Sequence, residues 1–340
     1  MLACTTSLCW AVLYVGPEPA AAASSPGPAR ATVQRQDSGP RASASIVGGQ
    51  DASIASFPFQ VALYNPRAGS PAAGFFCGGV IVDATHVITA AHCVSGGPHQ
   101  VTPSAGVEVL AGSTSLDQPV AGSVRDPVQS SAVDPGYNPL SSNEDIALLT
   151  LTHPLWPGSI APAVNGVNTI APLALDPNAA AIDANPNSSP ATMATASGWG
   201  DVEPAPGHAA SYPTSLRAVK LALVSESTCE EQYATIEQPI TSSMICAGGG
   251  SARMDTCYGD SGGPLLVDAD TPARPPQDYV LAGVVDFGNG CAQPGYAGVY
   301  TRISSPEIMR FLSSGVGNAV APVGTQARHK KKRRKKHDRP

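Results

Sequence analysis

Apolar residues recur along the chain in short segments that are separated by glycine, proline and asparagine. Segments of this length, bounded by turn-forming residues, predict β-strands. A first group of segments lies at 59–64, 79–89, 107–110 and 146–151, and a second at 216–223, 263–267, 279–285 and 298–303. Between the groups, 160–195 is rich in proline, asparagine and alanine, which predicts a long surface connection. The pattern indicates two antiparallel β units in tandem.

One helix is predicted after the last strand segment. Ser305 is a good N-cap, and Pro306 and Glu307 suit the first helical turn. Gly315 lies beyond the expected end, so the helix is predicted over 306–314. The fold class is therefore all-β with a short C-terminal helix.

The two ends of the chain differ from its body. A short apolar core followed by small residues predicts a signal peptide over 1–25, although no lysine or arginine precedes it. Residues 26–45 are rich in proline, alanine and serine, and we expect a leader or propeptide there. The folded domain is then 46–315, and 316–340 is expected to be a disordered tail with a polybasic end.

Charge is distributed unevenly along the chain. Nine of the 20 lysine and arginine residues follow position 327, which leaves eleven basic and 25 acidic side chains before it. The body therefore carries a net charge of −14 and has no general basic surface for nucleic acid. The tail, in contrast, is expected to contact anionic partners. The low lysine content, with abundant alanine, proline and glycine, is typical of a GC-rich genome such as a bacterial one.

The eight cysteines indicate disulfides and not a metal site. The six after residue 70 form no C-x2-C pair and have no matching histidine spacing, so zinc is not expected. An even number of cysteines spread through the body is typical of an oxidising compartment. The residues alone leave fifteen pairings open for these six.

Ser261 lies between glycines in the sequence YGDSGGP, as a nucleophilic serine does in two unrelated hydrolase folds. Such a serine needs a base, and the base needs an orienting group. In α/β-hydrolases the histidine follows the serine, yet the only histidines after Ser261 are His329 and His337, within the basic tail. This order excludes the α/β-hydrolase arrangement and favours the order histidine, aspartate, serine.

Three motifs occur in that order. They are TAAHC at 89–93, DIALL at 145–149 and GDSGGP at 259–264, accompanied by IVGG at 46–49, GWG at 198–200 and GVYT at 298–301. By these motifs the chain resembles the chymotrypsin-family, trypsin-like serine proteases over 46–315. The resemblance implies two tandem antiparallel six-stranded β-barrels with the active site in the cleft between them.

The resemblance also implies a serine endopeptidase that needs no cofactor. His92 would accept the proton of Ser261, Asp145 would orient His92, and the N–H groups of Gly259 and Ser261 would form the oxyanion hole. His86 lies within a strand pattern and is assigned to packing. No metal is expected, because the segment after the third predicted strand lacks the spaced glutamates of the calcium site found in some trypsins.

A zymogen is a further implication of the resemblance. Cleavage before Ile46 would free an α-amino group that pairs with Asp260 and orders the oxyanion hole and specificity pocket. Breaking a buried charge pair from one side costs roughly 3–5 kcal/mol, which is enough for a switch. Family members usually carry arginine or lysine before the cut, whereas Ser45 stands here and Arg41 is the nearest basic residue. We expect another protease to cut after Ser45, or a cut after Arg41 followed by trimming.

The resemblance assigns the cysteines and the substrate pocket as well. It pairs Cys77 with Cys93, Cys229 with Cys246 and Cys257 with Cys291, and leaves Cys4 and Cys9 in the removed leader. Asp255 matches the pocket floor, where an aspartate selects arginine or lysine before the scissile bond. Pocket-wall positions are matched by Gly288 and Gly298, and pocket-lining tyrosines by Tyr233 and Tyr300.

Two residues depart from the family pattern beside the site. Asp286 stands where the family usually has serine next to the triad acid, and Phe287 where it usually has tryptophan. Neighbouring carboxylates raise the pKa of at least one of them. Asp286 is therefore expected either to shift the pH profile of His92 or to add negative charge that favours cationic substrates.

Other functions compete with this hypothesis. A catalytically silent homologue could act as a binding module, but such a protein normally has its histidine, aspartate or serine replaced. A protein that acts through its tail, 328–339, would retain activity after Ser261→Ala. The expected partners of a secreted enzyme are protein or peptide substrates with arginine or lysine, an activating protease, and an anionic cell-surface polymer that binds the tail. The body is expected to be a monomer.

Overall fold

The computed structural model describes residues 46–95, 106–157, 170, 173, 175, 192–202, 212–250, 254–268 and 279–316. The predicted signal peptide, the leader and the basic tail lie outside these residues. Within them, no helix is both long and apolar enough to cross a membrane.

Six antiparallel strands form a closed barrel in the first half of the domain. After a two-residue strand β1 (Gln50–Asp51), they are β2 (Gln60–Tyr64), β3 (Phe75–Ile81), β4 (His86–Thr89), β5 (Glu108–Ala111), β6 (Val124–Val133) and β7 (Ala147–Leu151). Their order around the barrel is β2-β3-β4-β7-β6-β5, and β5 pairs with β2 to close it. β2 is buried along its whole length.

The second barrel is built in the same way. Its strands are β8 (Met193–Gly198), β9 (Arg217–Val224), β10 (Met244–Ala247), β11 (Pro264–Asp268), β12 (Tyr279–Phe287) and β13 (Gly298–Arg302). The order is β9-β10-β13-β12-β11-β8, pairing of β8 with β9 closes the ring, and β1 adds to the edge of β9. Two six-stranded antiparallel barrels are thus confirmed.

Short helices and three disulfides complete the described part of the chain. The α-helices are α1 (Pro71–Gly74), α2 (Glu226–Ala234) and α3 (Pro306–Val316), and the 3-10 helices are Ile54–Ser56, Pro66–Ala68 and Ala91–Cys93. The disulfides are Cys77–Cys93, Cys229–Cys246 and Cys257–Cys291, the pairing that the resemblance implied.

The C-terminal helix α3 joins the two barrels. It follows the last strand of the second barrel, yet Ile308, Leu312 and Val316 belong to the same buried cluster as the interior of the first barrel. Gly315 lies so close to Leu148 of β7 that a Cβ at this glycine would be 2.4 Å from a Leu148 methyl carbon. The predicted helix is confirmed, and it ends at residue 316 instead of 314.

Two predicted segments differ from the structure. The segment 79–89 is a hairpin of β3 and β4, because the Asp83 side chain accepts the N–H groups of Thr85 and His86, at 2.8 Å each, and turns the chain. In the predicted surface connection 160–195, the described residues Ile170, Leu173 and Leu175 are buried against the first barrel. The surface prediction is wrong for these three residues, whose apolar side chains complete the first core. The connection also ends earlier than predicted, because β8 begins at Met193.

Candidate active site

A buried carboxylate holds the His92 side chain. His92 lies in the 3-10 helix Ala91–Cys93 that follows β4, and Asp145 immediately precedes β7. The Asp145 side chain is fully buried, and its two oxygens accept the His92 N–H at 2.8 Å and contact Nδ1 of the ring at 2.5 Å. Thr301 of the second barrel donates to the Asp145 carbonyl at 2.8 Å. Both barrels therefore fix the carboxylate that orients the imidazole.

The contact shifts both pKa values in the directions expected of an ion pair. Burial acts to lower the pKa of His92, but the charge and hydrogen bond of Asp145 outweigh it and raise that pKa above 6.5. Burial acts to raise the pKa of Asp145, but His92 lowers it below its ordinary value. The contact therefore favours the ionised form of Asp145 and makes His92 a stronger base, as suits a general base.

Ser261 lies in a turn that contacts the first barrel across the cleft. The Gly78 N–H of β3 donates to the Ser261 carbonyl at 2.8 Å. Gly262 has φ +78°, and a Cβ there would be 2.1 Å from the Thr89 hydroxyl oxygen. Only glycine allows this approach between the barrels, so the sequence around the serine fixes its backbone against β3.

The backbone before Ser261 is also built around a glycine. Gly259 has φ +94°, and a Cβ there would be 2.8 Å from the Tyr212 ring. Within the described part of the chain, no group accepts a hydrogen bond from the N–H of Gly259 or Ser261. Two such donors beside a nucleophile can bind an oxyanion as it forms.

His92 and Ser261 line one cavity of about 330 Å³, and Asp255 lies in its wall. Asp255 is only 3% exposed, and its carboxylate accepts the N–H groups of Thr256 and Ala292 at 2.9 Å each. Burial raises the pKa of Asp255 to about 6 despite these two hydrogen bonds. The cavity therefore contains an acid, a base and a serine hydroxyl.

Two glycines keep this cavity open beside Asp255. Gly288 and Gly298 both line it. A Cβ on Gly298 would be 2.8 Å from an Asp255 oxygen, and one on Gly288 would be 2.9 Å from the Gly290 carbonyl oxygen. Side chains at either position would therefore crowd the space through which a ligand reaches Asp255.

Asp260, beside the serine, points away from the cavity into the second barrel. It is fully buried, and its oxygens accept the N–H of Gly200 at 2.8 Å and of Cys257 at 2.9 Å. A Cβ on Gly198 or Gly200 would approach the Asp260 carboxyl within 2.4 Å, which explains the glycines of the GWG motif. Burial raises the pKa of Asp260 to about 7.

Comparison with known proteins places this site in a family. Residues 46–309 match the family model described as Trypsin. The chain belongs to the trypsin family of serine proteases. It is 34% identical over 259 residues to Trypsin-1 of Astacus astacus, which covers 76% of this chain and 95% of that protein. It is 33% identical over 260 residues to Trypsin of Saccharopolyspora erythraea, with 76% and 94% covered, and 34% identical over 281 residues to Glandular kallikrein-10 of Rattus norvegicus, with 78% and 88% covered.

Membership of the trypsin family makes the chain a serine endopeptidase. The structure brings His92, Asp145, Ser261, Asp255 and both wall glycines to one cavity or to its immediate border. The three residues expected from the order of the motifs thus come from both barrels and meet between them.

Two tyrosines expected to line the pocket lie behind it instead. Tyr233 and Tyr300 are fully buried and are not among the residues that line the cavity. The Tyr233 hydroxyl donates to the Ala297 carbonyl at 2.6 Å, and the Tyr300 hydroxyl is 3.1 Å from that of Thr256. The lining role is therefore corrected to support of the pocket wall, which the sequence could not distinguish because neighbouring strands decide which way each ring points.

Residues that the sequence did not single out line the cavity on the side of His92. They are Tyr137, Pro139 and Ser142, in the loop between β6 and β7. No motif marks this loop, so only the fold could place it at the site. His86, assigned to packing, lies at the start of β4, where its Nδ1 is 2.8 Å from an Asp83 carboxyl oxygen.

Metal-ligating side chains cluster twice in the described part of the chain. Cys77, His92 and Cys93 form one group, but its two sulfurs are joined in a disulfide and cannot act as thiolates. His92, Asp145 and Asp286 form the other, with one ligand atom of each within 4.8 Å of the others. In this group both Asp145 oxygens already contact nitrogen atoms of His92, so the two side chains pair with each other without a metal.

Proposed function

We propose that the protein is a secreted trypsin-like endopeptidase that cleaves peptide bonds after arginine or lysine and is made as a zymogen. The observation that carries this proposal is a buried aspartate, Asp255, in the wall of the same cavity as Ser261 and His92. Disulfides support export to an oxidising compartment.

The proposed chemistry follows from the position in which Asp145 holds His92. His92 takes the Ser261 hydroxyl proton as Oγ attacks the scissile carbonyl, and Asp145 stabilises the imidazolium that forms. The N–H groups of Gly259 and Ser261 bind the oxyanion. His92 then gives the proton to the leaving amine. A water molecule next attacks the acyl-enzyme while His92 takes its proton, and His92 returns that proton to Ser261 as the acid product leaves.

The specificity follows from charge and space. A long cationic side chain can pass between Gly288 and Gly298 to reach the Asp255 carboxylate, which two backbone N–H groups hold in place. A charge-assisted contact in a buried pocket distinguishes a cation from an apolar side chain of similar length.

The activation switch is proposed from Asp260. In the uncleaved chain, both donors to its carboxylate are backbone N–H groups, and burial raises its pKa to about 7. Ile46 is fully buried in the core of the second barrel with φ +33°, an unfavourable backbone for a β-branched residue. Cleavage by an activating protease would free the Ile46 backbone and supply an ammonium group to Asp260.

The basic tail is proposed to bind an anionic cell-surface polymer. Its nine lysine and arginine residues oppose the −14 charge of the body. Attraction between opposite charges needs no specific pocket, so it would be sufficient to tether the enzyme. Such attraction is screened by salt.

Amide substrates that differ only in the residue before the scissile bond test the specificity. For protein processed to begin at Ile46, we expect kcat/KM for arginine and lysine to exceed that for phenylalanine and alanine by about a hundredfold or more. Asp255→Asn, which keeps the shape and removes the charge, should cost about a hundredfold on arginine. Asp268→Asn, an exposed aspartate of β11, is the matched control and should change nothing. A preference for phenylalanine, or one for arginine that survives Asp255→Asn, would contradict the proposal.

A further inference from the structure

Asp286, near the end of β12, is a second buried acid beside the catalytic pair. Its residue exposure is 6%, and it lines the cavity together with His92. One carboxyl oxygen lies within 4.8 Å of the ligand atoms of both Asp145 and His92. Two buried carboxyl groups and one histidine therefore share this site.

The two carboxyls have very different hydrogen-bond partners. Asp145 accepts two hydrogen bonds from His92. Among the described residues, neither oxygen of Asp286 accepts a hydrogen bond of regular geometry, and its polar neighbours are the Asp145 carboxylate and the Ser142 hydroxyl. An ionised Asp286 would be a buried charge with at most this one hydroxyl as donor, which is costly. A protonated Asp286 becomes a donor itself, and Asp145 is its acceptor.

The ionisable groups around Asp286 favour the same state. Burial and then the charge of Asp145 raise the pKa of Asp286 well above its ordinary value, while the contact with Ser142 opposes the shift. The same contact between the two acids lowers the pKa of Asp145. Tyr137 and Tyr233 also face Asp286, and burial raises both of their pKa values, so they are neutral near pH 7. Among these groups only His92 can supply a positive charge, and Asp145 already pairs with it.

We propose that Asp286 is a neutral carboxylic acid in the resting enzyme and donates its O–H to the Asp145 carboxylate, as a positioning residue for His92. The proton stays on Asp286 during the reaction, so His92 and Asp145 together change from a net charge of −1 to zero when the imidazolium forms. This inference rests on the proposed function of His92. It also selects against an added negative charge as the role of Asp286.

Infrared spectroscopy tests the protonation state without any turnover. The full chain carrying Ser261→Ala is compared with Ser261→Ala/Asp286→Asn at pH 7.5, after both are shown to unfold at similar urea concentrations. We expect the difference spectrum to contain the C=O stretch of one carboxylic acid. Asp255 and Asp260 are present in both proteins and cancel. A carboxylate band instead would overturn the proposal, and Asp286→Ser replaces Asp286→Asn if the latter does not fold.

The pH profile tests the positioning role in protein that begins at Ile46. Asp286→Ala removes the donor and should lower kcat about tenfold or more, with KM little changed. Asp286→Asn supplies an N–H donor without charge, so it should recover most of that loss and move the acidic pKa of kcat/KM by less than about 0.3.

Two kinetic results would overturn the proposal. Removing a real charge this close to His92 would lower the acidic pKa by about one unit or more in Asp286→Asn, and an unchanged kcat in Asp286→Ala would remove the positioning role. If the unsubstituted enzyme showed no turnover at all, the proposed function would fail, while the infrared result would still decide the state of Asp286.

Discussion

Asp255 and Asp260 are two buried carboxyls that backbone N–H groups hold on opposite sides of the Ser261 turn. Each accepts two such hydrogen bonds, yet burial raises the pKa of Asp255 to about 6 and that of Asp260 to about 7. Two neutral donors therefore do not offset the loss of water around a carboxylate. We propose that a cation completes each site, the substrate side chain in one case and the new N-terminus in the other.

The raised pKa of Asp255 predicts a pH-dependent selectivity. Below pH 6 the carboxyl is protonated and no longer attracts a guanidinium, whereas above it the full charge is present. For Ser261→Ala protein processed to begin at Ile46, the affinity for an arginine peptide, relative to that for its citrulline analogue, should increase about tenfold from pH 5 to pH 7. Isothermal titration calorimetry measures the ratio, and His92 affects both peptides alike. A ratio that is flat with pH, as expected for Asp255→Asn, would contradict the role of Asp255.

At the residue scale, the order of the motifs and their chemistry predicted which residues form the site. The directions in which side chains point could not be predicted. A base, an acid and a serine must meet for acyl transfer, so the order of His92, Asp145 and Ser261 was sufficient to choose a fold. Whether Tyr233 faces the cavity or the protein interior depends on how α2 packs on β10 and β13, which no local pattern encodes. That Asp286 accepts no hydrogen bond of regular geometry from the described residues likewise became visible only in the folded structure.

Among the elements, helix α3 connects the second barrel to the core of the first. Leu312 is fully buried in the cluster that contains the interior of the first barrel, although α3 follows the second. Leu312→Ala should lower the free energy of unfolding by about 2–5 kcal/mol, measured by urea denaturation in the Ser261→Ala background. The exposed neighbour Ser313→Ala should stay within about 0.5 kcal/mol. A loss below 1 kcal/mol for Leu312→Ala would show that α3 does not brace the barrels.

Elements were predictable where burial leaves a clear pattern. Strands rich in branched apolar residues, such as β2 and β7, were predicted to within a residue or two. β6 is polar and largely exposed and contains a proline, and β8 is made mostly of small residues, so neither has the expected apolar alternation. α2 buries only Cys229 and Tyr233 and has no apolar face. Its helix is stabilised by the Ser225 cap and a disulfide, which periodicity does not detect.

For the whole molecule, the site depends on both barrels. His92 and Asp145 come from the first barrel, and Ser261, Asp255 and Asp286 from the second. Hydrogen bonds that cross between the barrels hold them, from Gly78 to the Ser261 carbonyl and from Thr301 to the Asp145 carbonyl. Ile46, at the start of the domain, is buried in the core of the second barrel, which also carries Asp260 and the serine.

In the activation that we propose, cleavage before Ile46, Ser45 determines which protease can cut the chain. An enzyme that requires arginine or lysine cannot cut its own chain after serine, so the unsubstituted protein purified alone should give no product that begins at Ile46. Ser45→Arg supplies the missing residue and should allow self-activation. Ser45→Arg/Ser261→Ala is the matched control, because it has the same site but no nucleophile.

Mass spectrometry of these two purified chains, incubated alone and with a trace of Ser45→Arg protein already processed at Ile46, tests the proposed activity most directly. Conversion of Ser45→Arg to a product that begins at Ile46, with Ser45→Arg/Ser261→Ala intact when incubated alone and cut only by the added enzyme, is the predicted result. If Ser45→Arg stays intact even with the added protein, or if the Ser261→Ala chain alone cuts itself equally fast, the assignment of Ser261 and of arginine specificity is contradicted.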